Sequence, residues 1–419
     1  MDIRLRKLFA RCLVSVAACF FASNAIAAYI EAAIGNAVVN DATAVYYNPA
    51  GLGFVNNPQI VASWGEAFTH AKFSGTISQV GLAGTQAGNS YSIQEYPFPS
   101  IYGALPVTGR VTVGIAGLYT FLGREEYPRA ASTRYAQTVS AASLYDVTPA
   151  FSYKLRDNLF LGAGADFSFA TIELNSIVRG ALLGSASDFE SRNSGYGRGV
   201  GAHAGVLWHP VLGTLLGLVY HSPVSVQLDG HSVLQGAAAA TNSIVYNNNF
   251  NVKLVAPPSA VFSLVQYVNP RWNFLGTIER MNWNTIRNVV LKNVAFRTAG
   301  GAATSIISTK AYYLRNTWRL TLGTQYELTA LWAVRGALTY DQDPGNPTRQ
   351  IVAGDNKILS LGTTYKYNKQ CKLDFSYNYT RYRDRNINIV GTSAGSNVTS
   401  ARTSGGRTSI QGKIILDLV

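Results

Sequence analysis

Residues 372–380 alternate strictly between two faces. Leu373, Phe375, Tyr377 and Tyr379 fall on one side of an extended strand. Lys372, Asp374, Ser376, Asn378 and Thr380 fall on the other. The same period of two runs through 317–326, where Trp318, Leu320, Leu322 and Tyr326 oppose Arg319, Thr321 and Gln325. In 159–169, Leu159, Leu161, Ala163, Ala165, Phe167 and Phe169 oppose Asp166 and Ser168. Val111, Val113, Ile115, Tyr119 and Phe121 repeat the pattern. A soluble β-sandwich also alternates. Here, however, the apolar faces recur over runs of about ten residues, the length that spans a bilayer at a tilt.

The breaks between runs carry the second signal. Short turns, such as 156–158, 209–210, 269–271 and 368–370, alternate with long loops near 69–96, 123–142, 174–195, 229–251, 285–310, 342–355 and 386–405. Short turns on one side and long loops on the other are the bacterial outer-membrane pattern. The breaks predict fourteen strands, near 59–68, 97–107, 110–122, 143–156, 158–173, 196–209, 211–228, 252–268, 271–284, 311–328, 330–341, 356–368, 370–385 and 406–418. The fold class is therefore all-β, a transmembrane antiparallel β-barrel spanning 58–419. The even count places both chain ends on the periplasmic side.

One stretch does not alternate. Residues 32–52 are rich in small residues and end in Asn48-Pro49-Ala50-Gly51, a turn-forming cluster. A compact non-strand segment ahead of a barrel suggests a plug, and 28–57 is assigned as a hatch within the lumen. Pro49 fixes the backbone there, and Ala50 and Gly51 permit close packing against the wall. Ahead of the hatch, Arg4, Arg6, Lys7 and Arg11 precede an apolar run from Leu8 to Phe21, and Ala25-Ile26-Ala27 fits a cleavage site. Residues 1–27 are thus a secretory signal, with the mature chain starting near Ala28.

Composition agrees with export to a membrane. The chain is rich in Gly, Tyr and Asn and poor in charge, and beyond the signal no run reaches the apolar length of a transmembrane helix. Abundant Tyr suits aromatic girdles. The net charge is +13, falling to about +10 once the signal is removed. It is spread over loops and strand ends rather than clustered, which argues against nucleic acid and for contact with outer-membrane lipid and lipopolysaccharide. Cys12 and Cys19 lie in the signal, so Cys371 alone remains, too few for a disulfide or a metal site. The five His residues show no metal-binding spacing, with His203, His209 and His221 expected near strand ends.

This layout resembles the FadL family of outer-membrane transporters for long-chain fatty acids and other hydrophobic compounds. The most specific piece is 40–52, Asn40-Asp41-Ala42-Thr43-Ala44-Val45-Tyr46-Tyr47-Asn48-Pro49-Ala50-Gly51-Leu52, which looks like the family's hatch. Pro257-Pro258-Ser259-Ala260, Asn269-Pro270-Arg271-Trp272 and Asn282-Trp283-Asn284 follow in order. The strands beginning at Thr317, Leu359 and Leu373 complete the match. The resemblance implies a monomeric, plugged, fourteen-stranded barrel without a cofactor. It further implies capture of a hydrophobic ligand between outer loops and sideways release through a strand kink. This chain departs from it in the glycine-rich exit Gly51-Leu52-Gly53.

Candidate site residues follow. Asn48, Pro49, Ala50 and Gly51 are assigned to the hatch and its gating. Asp166, Glu279, Arg319, Arg335, Lys372 and Asp374 fall on inferred lumen faces, where most are expected to pair with one another or hold the hatch. Arg319 and Arg335 lie on adjacent strands and are carried as candidate ligand contacts, since an Arg can take a carboxylate bidentately. Gly114 and Gly117 interrupt the third strand and mark a candidate lateral kink, against a plain alternative in which they give the hatch a smooth wall. Tyr91, Tyr96, Phe98, Tyr127, Tyr135 and Tyr246 lie in or beside long loops and are candidates for a ligand pocket. Gly391-Thr392-Ser393-Ala394-Gly395 matches a nucleophile elbow formally but lacks the strand and helix it needs.

The leading function is therefore not enzymatic. It is facilitated diffusion of hydrophobic small molecules, long-chain fatty acids first and aromatic hydrocarbons as the alternative. A general porin, a hydrolase using Ser393, and an adhesin or phage receptor built from the loops compete with it.

Overall fold

The computed structural model describes residues 36–79, 84–183, 185–236, 244–298, 301–349, 351, 353–390 and 396–418. The signal, the start of the hatch and the Gly391–Gly395 motif lie outside these residues. Fourteen strands close into an antiparallel ring. They are β1 (Gln59–Gln79), β2 (Thr85–Pro97 and Ser100–Pro106), β3 (Val111–Glu126), β4 (Val139–Arg156), β5 (Leu159–Val178), β6 (Phe189–Trp208) and β7 (Thr214–His221 and Val224–Gly236). The ring continues with β8 (Ile244–Ala256 and Ser259–Asn269), β9 (Trp272–Met281 and Asn288–Arg297), β10 (Ala303–Ala311 and Thr317–Glu327), β11 (Trp332–Asp341), β12 (Asn356–Lys366), β13 (Cys371–Ile389) and β14 (Ser396–Asp417). Each strand pairs with the next, and β14 returns to β1 from Gln59↔Asp417 to Ser78↔Asn397. Because β14 returns to β1, no whole strand among the described residues is left as an edge, as a lipid environment favours.

The side-chain distribution is inverted relative to a soluble protein. Trp318, Leu320 and Leu322 are exposed, whereas Arg319 and Thr321 between them are buried. Phe375, Tyr377 and Tyr379 point out while Asp374, Asn378 and Thr380 point in. Near the short turns, Trp272 pairs across strands with Tyr326 and Trp332 with the half-buried Tyr365, and these rings form part of an interfacial girdle.

Two features depart from the sequence expectation. Much of the expected outer loop sequence is strand: β1 runs on to Gln79, and β6, β13 and β14 likewise extend far past the apolar belt. Above the membrane neither face needs to be apolar, so alternation fades while pairing persists. The second departure is in β3. The pairing with β4 shifts between Tyr119 and Phe121, a bulge at Thr120. One extra residue reverses which face each later side chain occupies. Phe121, expected outside with Ile115, turns inward.

Five strands are interrupted, and three breaks coincide with proline: Pro99 in β2, Pro223 in β7 and Pro257-Pro258 in β8. Proline supplies no ladder donor. At the first break the wall opens. The β2–β3 ladder stops at Ser100↔Leu118, and the Thr85–Pro97 half of β2 pairs with β1 alone among the described residues.

Candidate functional site

Residues 36–55 fold inside the ring as a 3-10 turn at Asn36–Val38, a helical turn at Ala44–Tyr47 and a 3-10 helix at Pro49–Phe54. Val45, Ala50 and Leu52 are fully buried. They pack against the inward faces of Val61, Tyr102, Leu118, Phe160, Leu207 and Ile415, which come from strands all round the ring.

Polar contacts tie this segment to the wall. Asn48 caps the 3-10 helix by accepting from the Ala50 amide (3.2 Å), while its Nδ2 donates to the carbonyls of Ala37 (2.6 Å) and Val206 in β6 (3.1 Å). Ser152 Oγ donates to the Ala50 carbonyl at 3.0 Å. The Ala42 amide donates to Gln59 Oε1 at 2.6 Å. The Ala37 amide donates to Ser263 Oγ at 3.1 Å. His203 Nε2 donates to the Val45 carbonyl at 2.8 Å, and its Nδ1 lies 2.9 Å from Asp166 Oδ1. Lys413 Nζ bridges Asp41 (3.3 Å) and Asp374 (3.2 Å).

Close approach also needs missing side chains. A Cβ on Gly162 would collide with the backbone of Pro49 and Ala50, and one on Gly205 with Asn48 Oδ1. Gly114 serves the same purpose, since a Cβ there would strike Val45. Gly117 faces the opposite side, under the Tyr145 hydroxyl. Both glycines keep regular pairing with β2 and β4, and the irregularity of this strand lies three residues further on, at Thr120. Gly51 and Gly53 are packed tightly against the Val39 carbonyl and the Phe160 ring rather than forming a loose exit.

Arg319 and Arg335 both point into the lumen, and both face carboxylates. Arg319 lies directly across from Glu279 and Asp341 in register, with Nη1–Oε2 at 2.7 Å and Nη2–Oδ2 at 3.3 Å. Arg335 donates to Thr364 Oγ1 at 2.6 Å and pairs with Asp374 at 3.5 Å. Asp374, Lys413 and Asp41 therefore connect Arg335 to the hatch.

Above Tyr46 and Tyr47 lies a cavity of about 140 Å³. Its apolar wall includes Phe121, Leu144, Val224, Met281 and Trp283, and Thr120 brings it to the bulge in β3. Its floor holds Tyr46, Arg319, His221 and the carboxylates Asp146, Asp166, Glu279 and Asp341. Burial first, and then the facing carboxylates, push the Tyr46 hydroxyl well above its usual range, so it stays protonated. The six loop aromatics expected to build a pocket do not line this cavity. Tyr91 and Tyr246 are exposed, Phe98 covers Gly65 and Ala67 at the wall gap, and Tyr127 and Tyr135 are buried elsewhere.

Sequence reading missed the histidines. His203 sits inside β6 rather than at a strand end, and it stacks on His221 with ring centres 5.1 Å apart. With Asp166 they place ligand-type atoms within 4.8 Å of one another. The three come from three neighbouring strands, a placement that spacing along the chain does not reveal.

Comparison with known proteins places this architecture. A family described as "Outer membrane protein transport protein (OMPP1/FadL/TodX)" matches residues 11–412. A long-chain fatty acid transport protein of Escherichia coli O6:H1 is 23% identical over 194 residues, and the match spans 43% of this chain and 42% of that relative. A Pseudomonas aeruginosa FadL homologue superposes with a TM-score of 0.82 at 19% identity, covering 96% of this chain and 100% of that one. The Pseudomonas putida toluene transporter TodX gives 0.72 at 15% identity, covering 95% and 99%. These two structural likenesses establish the barrel fold. Together with the family match they place the protein in the outer membrane: the chain belongs to the OMPP1/FadL/TodX family of outer-membrane transport proteins.

Proposed function

We propose that this protein is a passive channel for hydrophobic small molecules, with residues 28–57 as its hatch. The observation that carries the reading is the partly apolar cavity resting on Tyr46 and Tyr47, with the lumen filled beneath it. An apolar solute reaching that cavity gains about 25 cal/mol for each Å² it removes from water. No energy source is needed for passage down a gradient. The E. coli relative is a fatty acid transporter and the P. putida neighbour a toluene transporter, both carriers of apolar cargo.

In this reading the solute leaves sideways, between β2 and β3. Support comes from the ladder that stops at Ser100↔Leu118 and from the bulge at Thr120 beside the cavity. Phe98 and Leu122 pack at that gap as a removable cover. Fatty acid, the expected cargo, needs a cation for its head group, and Arg319 is already set between Glu279 and Asp341.

Uptake into proteoliposomes tests the proposal. Toluene should enter faster than a sugar, and deletion of Thr120 should slow the hydrophobic solute without raising sugar leakage. Equal rates for sugar and hydrophobic solutes would overturn the reading.

A further inference from the structure

The cavity floor is unusually acidic. Four carboxylates line it, against Arg319 as the one Lys or Arg among the described lining residues. Glu279 and Asp341 both engage that guanidinium. Asp166 is occupied by His203 Nδ1 at 2.9 Å and by the Thr148 hydroxyl at 3.0 Å. Asp146 differs. It is 3% exposed and lines the cavity, the Ser168 and Thr120 hydroxyls are its hydrogen-bonding neighbours, and among the described residues no cation pairs with it. Burying a carboxylate without a facing cation is costly, and a cationic or donating head group in the cavity offsets that cost.

We propose that the cavity selects single-ring or short-chain apolar ligands bearing a hydrogen-bond-donating or cationic head group, received by Asp146, and rejects carboxylate anions. The inference deepens the transport reading and rests on it. Size supports the class: about 140 Å³ is close to that of a cavity known to take one benzene ring. Charge supports it too. A carboxylate entering here loses its water and meets like charges, with Arg319 already held. An ammonium or hydroxyl meets an acceptor, while its apolar body packs on Phe121, Met281 and Trp283.

An isosteric series tests this. Benzylamine, benzyl alcohol, toluene and benzoate are titrated calorimetrically into the full barrel in lipid nanodiscs, with protein-free nanodiscs correcting for partition. Benzylamine should bind at least about tenfold tighter than benzoate. Asp146→Asn should weaken benzylamine about tenfold and leave toluene unchanged. Benzoate binding as tightly as benzylamine would overturn the inference, as would an Asp146→Asn barrel with unchanged benzylamine affinity. Should the variant not fold, the wild-type ranking decides alone. Toluene entry into proteoliposomes separates the two proposals. Entry with the wrong ranking sinks head-group selection only, and the right ranking without entry sinks transport only.

Discussion

Asn48 shows how one side chain ties the segment inside the ring to the barrel wall. Its amide satisfies two carbonyls, Ala37 within the hatch and Val206 in the barrel, and its oxygen caps the helix that follows. Asn48→Ala leaves both carbonyls short of a donor in a buried place, at a cost of about 2–4 kcal/mol. Hydrogen exchange read by mass spectrometry should show amides 44–55 losing protection while the strands keep theirs. Unchanged exchange at 44–55 would mean the anchor lies elsewhere. The motif was visible in the sequence because Asn-Pro-Ala-Gly is a turn signal. Its partners were not, since Val206 lies 158 residues away. The lumen arginines show the same limit. Parity along the strand puts Arg319 inside, but only cross-strand register sets it between Glu279 and Asp341.

Among the elements, the segment between β11 and β12 is a loop with a buried charge network. Asp343 is 1% exposed, takes Arg385 Nη1 at 2.8 Å and the Gly345 amide at 2.8 Å, and lies beside Asp355, which holds Arg315 at 3.0 Å. Burial pushes the Asp343 carboxyl up to about 6, only partly offset by Arg385. Opposite in sign, Tyr340 and the basic neighbours hold Asp355 below the usual carboxylate range despite its partial burial. An acid raised in the folded state keeps a proton that the opened loop has released. Loop stability therefore falls as pH rises from about 4 to about 6, by roughly 3 kcal/mol for a shift of this size. Asp355 acts the other way, but only at lower pH. A spin label at the exposed Thr348, in a Cys371→Ser background, should gain mobility across that window. Asp343→Asn should flatten the response, and a label indifferent to pH would remove Asp343 as its cause. The sequence marked 342–355 as a loop but not the charge network within it, because a buried Asp in a Pro/Asn/Gly-rich stretch reads as an ordinary surface turn.

For the whole molecule, fourteen strands enclose a lumen too wide for wall side chains to fill. Residues 36–55 lie within it, so removing the proposed hatch, residues 28–57, should turn a tight barrel into a large, steady conductance in planar bilayers. A deletion that conducts like the intact chain would show that other parts close the pore. The overall plan was legible from period-two alternation, since a strand with one face in lipid and one in the lumen must alternate. Strand count followed from the turns. What stayed hidden was the height of the barrel, where alternation stops mattering, and the bulge at Thr120, a single residue that leaves composition unchanged.

The breaks in β7, β8, β9 and β10 have a consequence of their own. Each divides a strand into a segment near the short turns and one beyond it. The pairing register shifts across the break between β6 and β7, between β8 and β9 and between β9 and β10, while β7 and β8 keep one register across it. Where the register already shifts, a residue gained or lost in the outer half is absorbed at the break and does not propagate into the half near the short turns. The outer part of the barrel can thereby change in length at those seams while the part beneath it stays in frame.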